Sequence, residues 1–515
     1  HERDGLQVGE DDRDRRHPPA QRRRVSLDES HVHDERSNEE DEADAHEDNR
    51  HEWIVALDAR VGRVAHSLAL SQAATKSPFP DGVQSLFWFF FLNFLSCQII
   101  MDSPIFLYAE SLGASATVMG LIAGMTPLMV IFQIPAAAHV GCWGYRFFIA
   151  TGWTVRLLFV LGLVFVPTMD SVLNSQSQLA LVIVLLFAFN MIRGIASCAW
   201  FPWIRGLIPE TIRGRYLTLE SAFANAGSLV AFLLVAIYLG KSPTSEQFTV
   251  LFACSFVMGA VSIAFIRRVP DVAPPEEEAG KKQQAPWAEI FAAKPFRKLL
   301  WTELFMAIAL GGLAAFTVKY LKAEAGMQAN HIMLASAAKF VGALGTLWFL
   351  KTRLDRLGSR PVILFGLIMG LVCVGVFGLI AGKVVPLNFY AVAGLYLSFG
   401  FVLSSVTMSM TRLAMATVPR LGSSHYFAVY AVVGNLAMGL SPTLWGVMID
   451  VMSASRSIWL GVEWNEYTLY FAGVALVLLL TAVATLRLEE AKAARLNELF
   501  LDLVRHSPLR SWLRN

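Results

Sequence analysis

Four charged residues lie deep within long apolar runs of the sequence: Asp102, Arg156, Arg193 and Lys339. A charge at the centre of a bilayer costs about 2.5–3.5 kcal/mol on insertion scales, so such a side chain usually faces a partner or a wet cavity. A carboxylate in that setting can take up and release a proton, and the cations can bind an anion or pair with the acid. These residues indicate a polar site inside a membrane.

Asp102 is the acid of this set, and Pro104 interrupts helical hydrogen bonding two residues later, which allows a bend. We predict that Asp102 carries a coupling proton and that Arg193 tunes its protonation; the alternative is a purely structural ion pair of these two residues. Lys339 has no acid three or four positions away on its own helix, which favours a role in a cavity. Because the cations outnumber the acid, a polar or anionic substrate is favoured.

Asn225 and Asn435 lie about ten helical residues into their apolar runs and are further substrate candidates, with interhelical hydrogen bonding as the alternative. The sequence has 5 cysteines without metal or redox spacing, no His-Glu-x-x-His pair and no nucleotide-binding loop. We therefore predict no catalytic residue, no metal site and no cofactor. A net charge of +2 gives no indication of a nucleic-acid partner.

The elements that must hold these residues are membrane helices. The chain is 55% hydrophobic and 16% charged, against about 25% charged in soluble proteins. A bilayer core needs roughly 20 helical residues, and on that measure the sequence predicts an all-α polytopic membrane protein with twelve spans. They are 85–108, 117–138, 147–166, 179–202, 216–239, 248–266, 299–320, 331–350, 362–381, 387–410, 426–449 and 467–486.

A polar segment rich in Pro, Glu and Lys divides the spans into two sets. The predicted organisation is a disordered or non-native tail (1–80), a six-helix bundle (81–266), a linker (267–298), a second six-helix bundle (299–486) and a C-terminal tail (487–515). Lys and Arg concentrate in the loops on the linker side, which predicts that this side and both termini are cytoplasmic.

The two predicted bundles repeat each other. Gly144-x-Arg146 recurs as Gly358-x-Arg360, and the order Pro, Tyr, Asn of the fifth span recurs in the eleventh. A parallel repeat implies two bundles related by an axis along the membrane normal, with a binding cavity between them.

The segment Asp355-Arg356-Leu357-Gly358-Ser359-Arg360 resembles the Gly-x-x-x-Asp-Arg-x-Gly-x-Arg-Arg signature of the major facilitator superfamily. The first-half copy, which ends in Gly144-Tyr145-Arg146, lacks the Asp and the Arg. The resemblance implies that Asp355, Arg356, Gly358 and Arg360 form a conformational latch; a tight turn with cationic flanks is the alternative.

The same resemblance implies twelve transmembrane helices as two six-helix bundles and a role for Arg193 in proton coupling or substrate contact. It also implies that span 3 lies outside the cavity, so Arg156 is expected to be structural. The implied function is secondary active transport of a small solute by alternating access, coupled to H+ as a symporter, with a uniporter as an alternative.

Further expectations are a monomer in a lipid bilayer and a bacterial inner (plasma) membrane location. A drug or metabolite efflux antiporter is one alternative, although span 5 lacks the Gly-Pro-x-x-Gly-Gly signature. A transport-inactive sensor or scaffold on the same fold is another, and an enzyme is disfavoured.

Overall fold

The computed structural model describes residues 79–80, 82–272, 287–350, 358–418 and 423–490. Nearly all of the predicted N-terminal tail, much of the linker, the end of the C-terminal tail and the latch candidates Asp355 and Arg356 lie outside these residues.

The first half is built from helices in chain order, with 3₁₀ turns at Met129–Phe132 and Val166–Met169. The α-helices are Gln84–Met101, Ser103–Ser111, Ala116–Leu128, Gln133–Trp143, Tyr145–Phe165, Ser175–Ser197, Trp200–Leu207, Glu210–Leu239 and Ser245–Ile266. Together they give spans 1 to 6: Gln84–Ser111, Ala116–Ala136, Tyr145–Met169, Ser175–Leu207, Arg215–Leu239 and Ser245–Ile266.

The second half follows the same plan. Its α-helices are Trp287–Ala292, Lys294–Leu310, Leu313–Lys319, Ala329–Leu350, Ser359–Ala381, Phe389–Thr417, Ser423–Met452 and Glu466–Leu486, with a π-helical turn at Tyr320–Glu324. They give spans 7 to 12: Lys294–Glu324, Ala329–Leu350, Ser359–Ala381, Phe389–Thr417, Tyr426–Met452 and Glu466–Leu486.

Of these twelve helical segments, 11 are both long and apolar enough to cross a membrane by themselves within the described residues. Span 8 also has the length to cross a membrane, at 22 residues. It packs between spans 5 and 10, so its polar residues lie against protein. The predicted polytopic helical fold with twelve spans is confirmed. Span 7 begins at Lys294, inside the segment predicted as linker.

Polar side chains fix where several spans begin. Thr244 and Gln247 form a reciprocal capping box at the start of span 6, with Thr244 N donating to Gln247 Oε1 at 2.9 Å. Asn465 Oδ1 accepts from the backbone N–H of Tyr467 and Thr468 at the start of span 12. Each cap satisfies N–H groups that have no partner inside the helix.

The first span of each half is broken near its middle. Span 1 breaks at Asp102, which has extended φ/ψ angles of −132° and −158° and is followed by a new helix with Pro104 in its first turn. Span 7 breaks at Gly311–Gly312, where Gly312 has a φ of 75°. The bend predicted from Pro104 is confirmed; its position at Asp102 follows from the preference of proline for the first turn of a helix.

A short antiparallel hairpin departs from the all-helical prediction. Strands Ser457–Trp459 and Val462–Trp464 pair between spans 11 and 12, with Ile458 opposite Glu463. Lys383 Nζ lies 2.7 Å from Glu463 Oε2, and this hydrogen bond holds the pKa of the Glu463 carboxyl below its usual range.

The halves pack through spans 2 and 11 and through spans 5 and 8. Gly120 and Gly124 of span 2 lie against the backbone of Pro442 and Gly439 in span 11, where a Cβ on either glycine would overlap a carbonyl group. Glycine at both positions therefore allows the two backbones to approach this closely. We call the end of the bundle where span 1 begins the linker end, and the opposite end the distal end.

Candidate functional site

Asp102 and Lys339 form an ion pair between the two halves. Lys339 Nζ lies 2.5 Å from Asp102 Oδ2, and the two side chains are 15% and 18% exposed, respectively. Because span 1 is broken here, the other carboxylate oxygen of Asp102 accepts from the Ser103 backbone N–H at 2.7 Å and from the Ser103 hydroxyl at 2.9 Å. The helix break therefore holds the carboxylate towards the second half.

Buried hydroxyls and rings surround this pair. Ser103 and Ser336, both less than 2% exposed, bring their hydroxyl oxygens to 3.3 Å across the boundary between the halves. Lys339 Nζ lies 5.2 Å from the ring centroid of Phe232 and 5.0 Å from that of Phe340. Aromatic faces attract a cation, so Lys339 is stabilised by groups from both halves.

The ion pair lines a cavity of about 320 Å³ between the halves, which we call the central cavity. Its walls come from spans 1 and 5 on one side and from spans 7 to 10 on the other, and include Asp102, Asn225, Thr317, Lys339 and Tyr396. The volume suits a small solute. Asn225 donates to the Ser221 carbonyl at 2.8 Å, which orients its amide at the cavity wall.

Asn435, the repeat counterpart of Asn225, lies elsewhere. It lines a cavity of about 500 Å³ between the linker-end parts of spans 2 and 11, walled on the other side by residues Pro127 to Ile134. Its amide donates to Ala431 O at 2.9 Å within its own helix. The structure thus separates the two asparagines into different cavities.

Arg193 does not pair with Asp102. Its Nη2 donates to the carbonyl oxygen of Thr126 at 2.8 Å, just before Pro127, where span 2 changes from α-helix to a 3₁₀ turn. Arg193 thus adds a side-chain donor to a carbonyl beside the point where the helical hydrogen-bond pattern changes. The ion pair of Asp102 with Arg193, given above as the alternative, is not formed in the structure, because Lys339 pairs with the carboxylate.

Arg156 lies on the inner face of span 3 and is 2% exposed. Its guanidinium donates to Asn93 Oδ1 and lies 4.8 Å from the ring centroid of Trp153. Together with Arg193 it lines a cavity of about 320 Å³ enclosed by spans 1 to 4, which we call the N-half cavity. Arg156 is not among the described residues that line the central cavity, as expected for span 3, but it lines this second cavity within the first half. Gln98 lines both the N-half cavity and the central cavity.

The described latch candidates contact their own half. Gly358, with a φ of 86°, precedes span 9, and the carboxylate of Glu490 accepts from the backbone N–H groups of Ser359 and Arg360 at 2.8 to 3.0 Å. Arg412 also reaches Glu490, at 3.2 Å. Gly358 and Arg360 thus form a helix start held by the chain beyond span 12. For these two residues the turn interpretation fits better than an inter-half latch.

The first half repeats this arrangement with different residues. Gly144, with a φ of 77°, precedes span 3, and the Arg146 backbone N–H donates to Asp271 Oδ1 at 3.2 Å. The Arg146 side chain reaches the Val269 carbonyl at 3.3 Å. In both halves, a carboxylate just after the sixth span caps the N-terminus of the third.

Contacts between the halves close the distal end. Asp450, in the last turn of span 11, accepts from the N–H groups of Ala116 and Thr117 at 2.9 and 2.8 Å and from the Thr117 hydroxyl at 2.6 Å. Lys319 of span 7 lies 2.7 Å from Glu110 of span 1. The Asp450 carboxylate lies at the positive end of the span 2 helix dipole. It therefore stabilises the start of span 2 both by accepting its N–H groups and through its negative charge.

Sequence reasoning missed Ser103, Ser336, Asp450 and Glu490, whose partners come from distant parts of the chain. The Asp450 carboxylate near a predicted span end was the one available signal. Within the residues that the structure describes, no group of three or more His, Cys, Asp or Glu side chains is arranged to hold a metal ion. The arrangement supplies instead a charge pair that protonation can break, beside a cavity of solute size.

Comparisons with known proteins agree with this architecture. The family model of the Major Facilitator Superfamily matches residues 86–442. The nucleoside transporter NupG is similar in structure, at 11% identity over 79% of this chain and 99% of that chain, with a TM-score of 0.57. No curated protein matches the sequence.

Two further solved structures are similar. A D-xylose–proton symporter aligns at 13% identity over 80% of this chain and 98% of its own, with a TM-score of 0.62. A POT family transporter in complex with 5-aminolevulinic acid aligns at 13% identity over 80% and 97%, with a TM-score of 0.58. At such identities these likenesses show the fold.

Proposed function

The chain belongs to the major facilitator superfamily, and on that premise we propose that it is a proton-coupled secondary transporter that moves a small solute by alternating access. The observation that carries the proposal is the Asp102–Lys339 ion pair, which joins the two halves inside the central cavity. It is an integral membrane protein, and it acts as a monomer in a lipid bilayer. The family points to a transporter and away from an enzyme.

The linker end is cytoplasmic in this proposal, in line with the Lys and Arg content of its loops. The contacts of Asp450 and of Lys319 with Glu110 close the distal end, and the cavity between spans 2 and 11 lies at the linker end. The conformation therefore corresponds to a state that faces the cytoplasm. Transport requires the distal contacts to open while the linker-end cavity closes.

Asp102 carries the coupling proton, and Lys339 is its counter-charge. While Asp102 is ionised, the pair holds span 1 against span 8; protonation removes the negative charge and leaves Lys339 free to move. The break in span 1 at Asp102 lets the distal helix Ser103–Ser111 reorient without bending the rest of the span. Proton binding is thereby linked to the relative position of the halves.

The experiment is transport into proteoliposomes. A thermal-shift screen of metabolites on the purified protein first identifies a bound solute, and its uptake is then measured with and without an inwardly directed proton gradient. Asp102→Asn should abolish accumulation against a gradient while sparing exchange of solute between equal pools. Thr168→Val, which removes an exposed hydroxyl that donates to the Phe165 carbonyl at the distal end, serves as a folding control that leaves the ion pair and the Asp450 contact intact.

Two outcomes would overturn the proposal, and a third would change the direction of transport. Accumulation by Asp102→Asn under a proton gradient would show that this carboxylate does not carry the coupling proton. Binding of a solute without any transport by the wild-type protein would instead support a sensor or scaffold. Movement of solute outwards in exchange for protons would assign an efflux antiporter.

A further inference from the structure

Two guanidinium groups share the N-half cavity. Arg156 and Arg193 line it from spans 3 and 4, and among the lining residues that the structure describes there is no Asp or Glu. Cys97, the remaining titratable side chain of this wall, donates its thiol to Asn93 Oδ1 at 3.7 Å. Asp102, on the same span as Cys97, is bound to Lys339 and lines the central cavity.

The hydrogen-bonding capacity of both arginines is incompletely used. A guanidinium carries five N–H donors. Arg156 donates to Asn93 Oδ1 and Arg193 to the Thr126 carbonyl, whereas the Nε atom of each is buried without an acceptor. Both guanidinium groups line the cavity, so an acceptor that enters it can bind their Nη donors, whereas the buried Nε donors are reached only after a side-chain movement.

No carboxylate among the described lining residues compensates these positive charges. Arginine stays protonated in proteins, and the charge of Arg156 acts unfavourably on Arg193, against a larger favourable influence of Cys97. Burying one unpaired charge is costly, and burying two beside each other costs more. A bound anion would remove both penalties, and paired guanidinium groups are well suited to a carboxylate.

Aromatic rings form the other walls. The rings of Trp153 and Trp200 have centroids 6.3 Å apart, and Phe89 and Phe90 lie 5.9 and 5.2 Å from Trp200. Such surfaces accept a flat apolar group, through stacked or edge-to-face contacts. The cavity volume of about 320 Å³ is enough for a single ring with one acidic substituent.

We propose that the N-half cavity is the binding subsite for a planar organic carboxylate, held by Arg156 and Arg193 and packed against Trp153 and Trp200. This inference rests on the proposed transport function, for which it names the substrate class. Since Gln98 lines both cavities, a solute bound there lies next to the compartment that contains Asp102. The carboxylate of the solute and the proton on Asp102 would then bind in neighbouring cavities.

Equilibrium binding to the full chain in detergent tests the inference without requiring transport. The probes are benzoate and its neutral isostere benzamide, followed by thermal shift and by quenching of tryptophan fluorescence. Benzoate should stabilise the protein in a concentration-dependent manner, and benzamide should not. Acetate, which lacks the ring, should bind more weakly than benzoate.

Arg193→Gln should weaken benzoate binding about tenfold or more, because a charge-assisted hydrogen bond is lost. Arg193→Lys should recover part of the affinity for benzoate, since lysine restores the positive charge but not the planar, two-pronged hydrogen bonding of a guanidinium group. Because Arg193→Gln also loses the hydrogen bond to the Thr126 carbonyl, each variant is compared by the shift in its own unfolding temperature on adding benzoate. Arg456→Gln, an exposed arginine at the distal end, is the matched control.

Equal binding of benzoate and benzamide, no binding of either, or wild-type benzoate affinity in Arg193→Gln would each overturn the inference. These outcomes are separate from the transport test. Benzoate binding that depends on Arg193 stands even where proteoliposomes show no accumulation. Proton-driven transport of a solute that is insensitive to Arg193→Gln would leave the proposed function intact and refute the subsite.

Discussion

Asp102 on span 1 and Lys339 on span 8 lie 2.5 Å apart, oxygen to nitrogen, although 237 residues separate them in the chain. Each residue belongs to a different half, so one short contact links the protonation of a carboxylate to the packing of the halves. Both side chains are less than a fifth exposed, where loss of one partner is more damaging than loss of both.

Removal of either partner alone should therefore destabilise the protein, and removal of both should restore much of the loss. We expect Asp102→Asn and Lys339→Met each to cost about 3–5 kcal/mol, as for other buried pairs broken on one side. The double variant should unfold at a higher temperature than either single variant. Thermal unfolding of the four proteins in one detergent measures this cycle, and strictly additive effects would contradict a direct pair.

The two candidate asparagines should differ in transport. Asn225 lines the central cavity and Asn435 the linker-end cavity. Asn225→Ala should raise KM for the transported solute about 2- to 10-fold through loss of one hydrogen bond, with little change in kcat. Asn435→Ala, which removes the same side chain from the repeat-related position, is the control and should keep the wild-type KM. Equal changes in both variants would argue against a solute contact at Asn225.

The carboxylate caps at the starts of spans 3 and 9 should differ in how much they stabilise the protein. Glu490 is 12% exposed and also binds Arg412, whereas Asp271 is 37% exposed beside Arg146. Glu490→Gln should lower the unfolding temperature more than Asp271→Asn, with the cap itself contributing about 1 kcal/mol. Differential scanning fluorimetry compares the pair. A larger effect at Asp271 would mean that exposure does not decide the strength of these caps.

Loss of the Asp450 contact should open the distal end. Cys373 lines the central cavity and is 4% exposed, so it reports on access once the other cysteines are replaced. Asp450→Ala should speed its reaction with a membrane-impermeant maleimide added from the distal side. Ser453→Ala removes an exposed hydroxyl that donates to the Asp450 carbonyl and should leave the rate unchanged. An unaltered rate in Asp450→Ala would show that this contact does not gate access.

Much of the fold was predictable because bilayer thickness dictates the length of each apolar run. The twelve spans, the superfamily membership and the break near Pro104 are confirmed. Asp102 and Lys339 were recognisable as charges in apolar runs, since that signal is local.

Their pairing was not predictable, because spacing rules such as i to i+4 apply within a single helix. The second cavity beside Arg156 was not predicted for a related reason. A span on the outside of a bundle still turns one face towards that bundle. The 3.6-residue period of apolar residues does not tell which neighbouring span this face contacts. Glu490 follows span 12 in a charged tail, where nothing in the sequence links it to the start of span 9.

The carboxylate caps at Asp271 and Glu490 also bear on biogenesis. In each half the third span is synthesised long before the acid that caps it, so its first N–H groups must remain hydrated until the sixth span has crossed the membrane. We therefore expect the start of the third span in each half to be capped only after the last residues of that half have been made. The first half can complete this contact while the second half is still being synthesised.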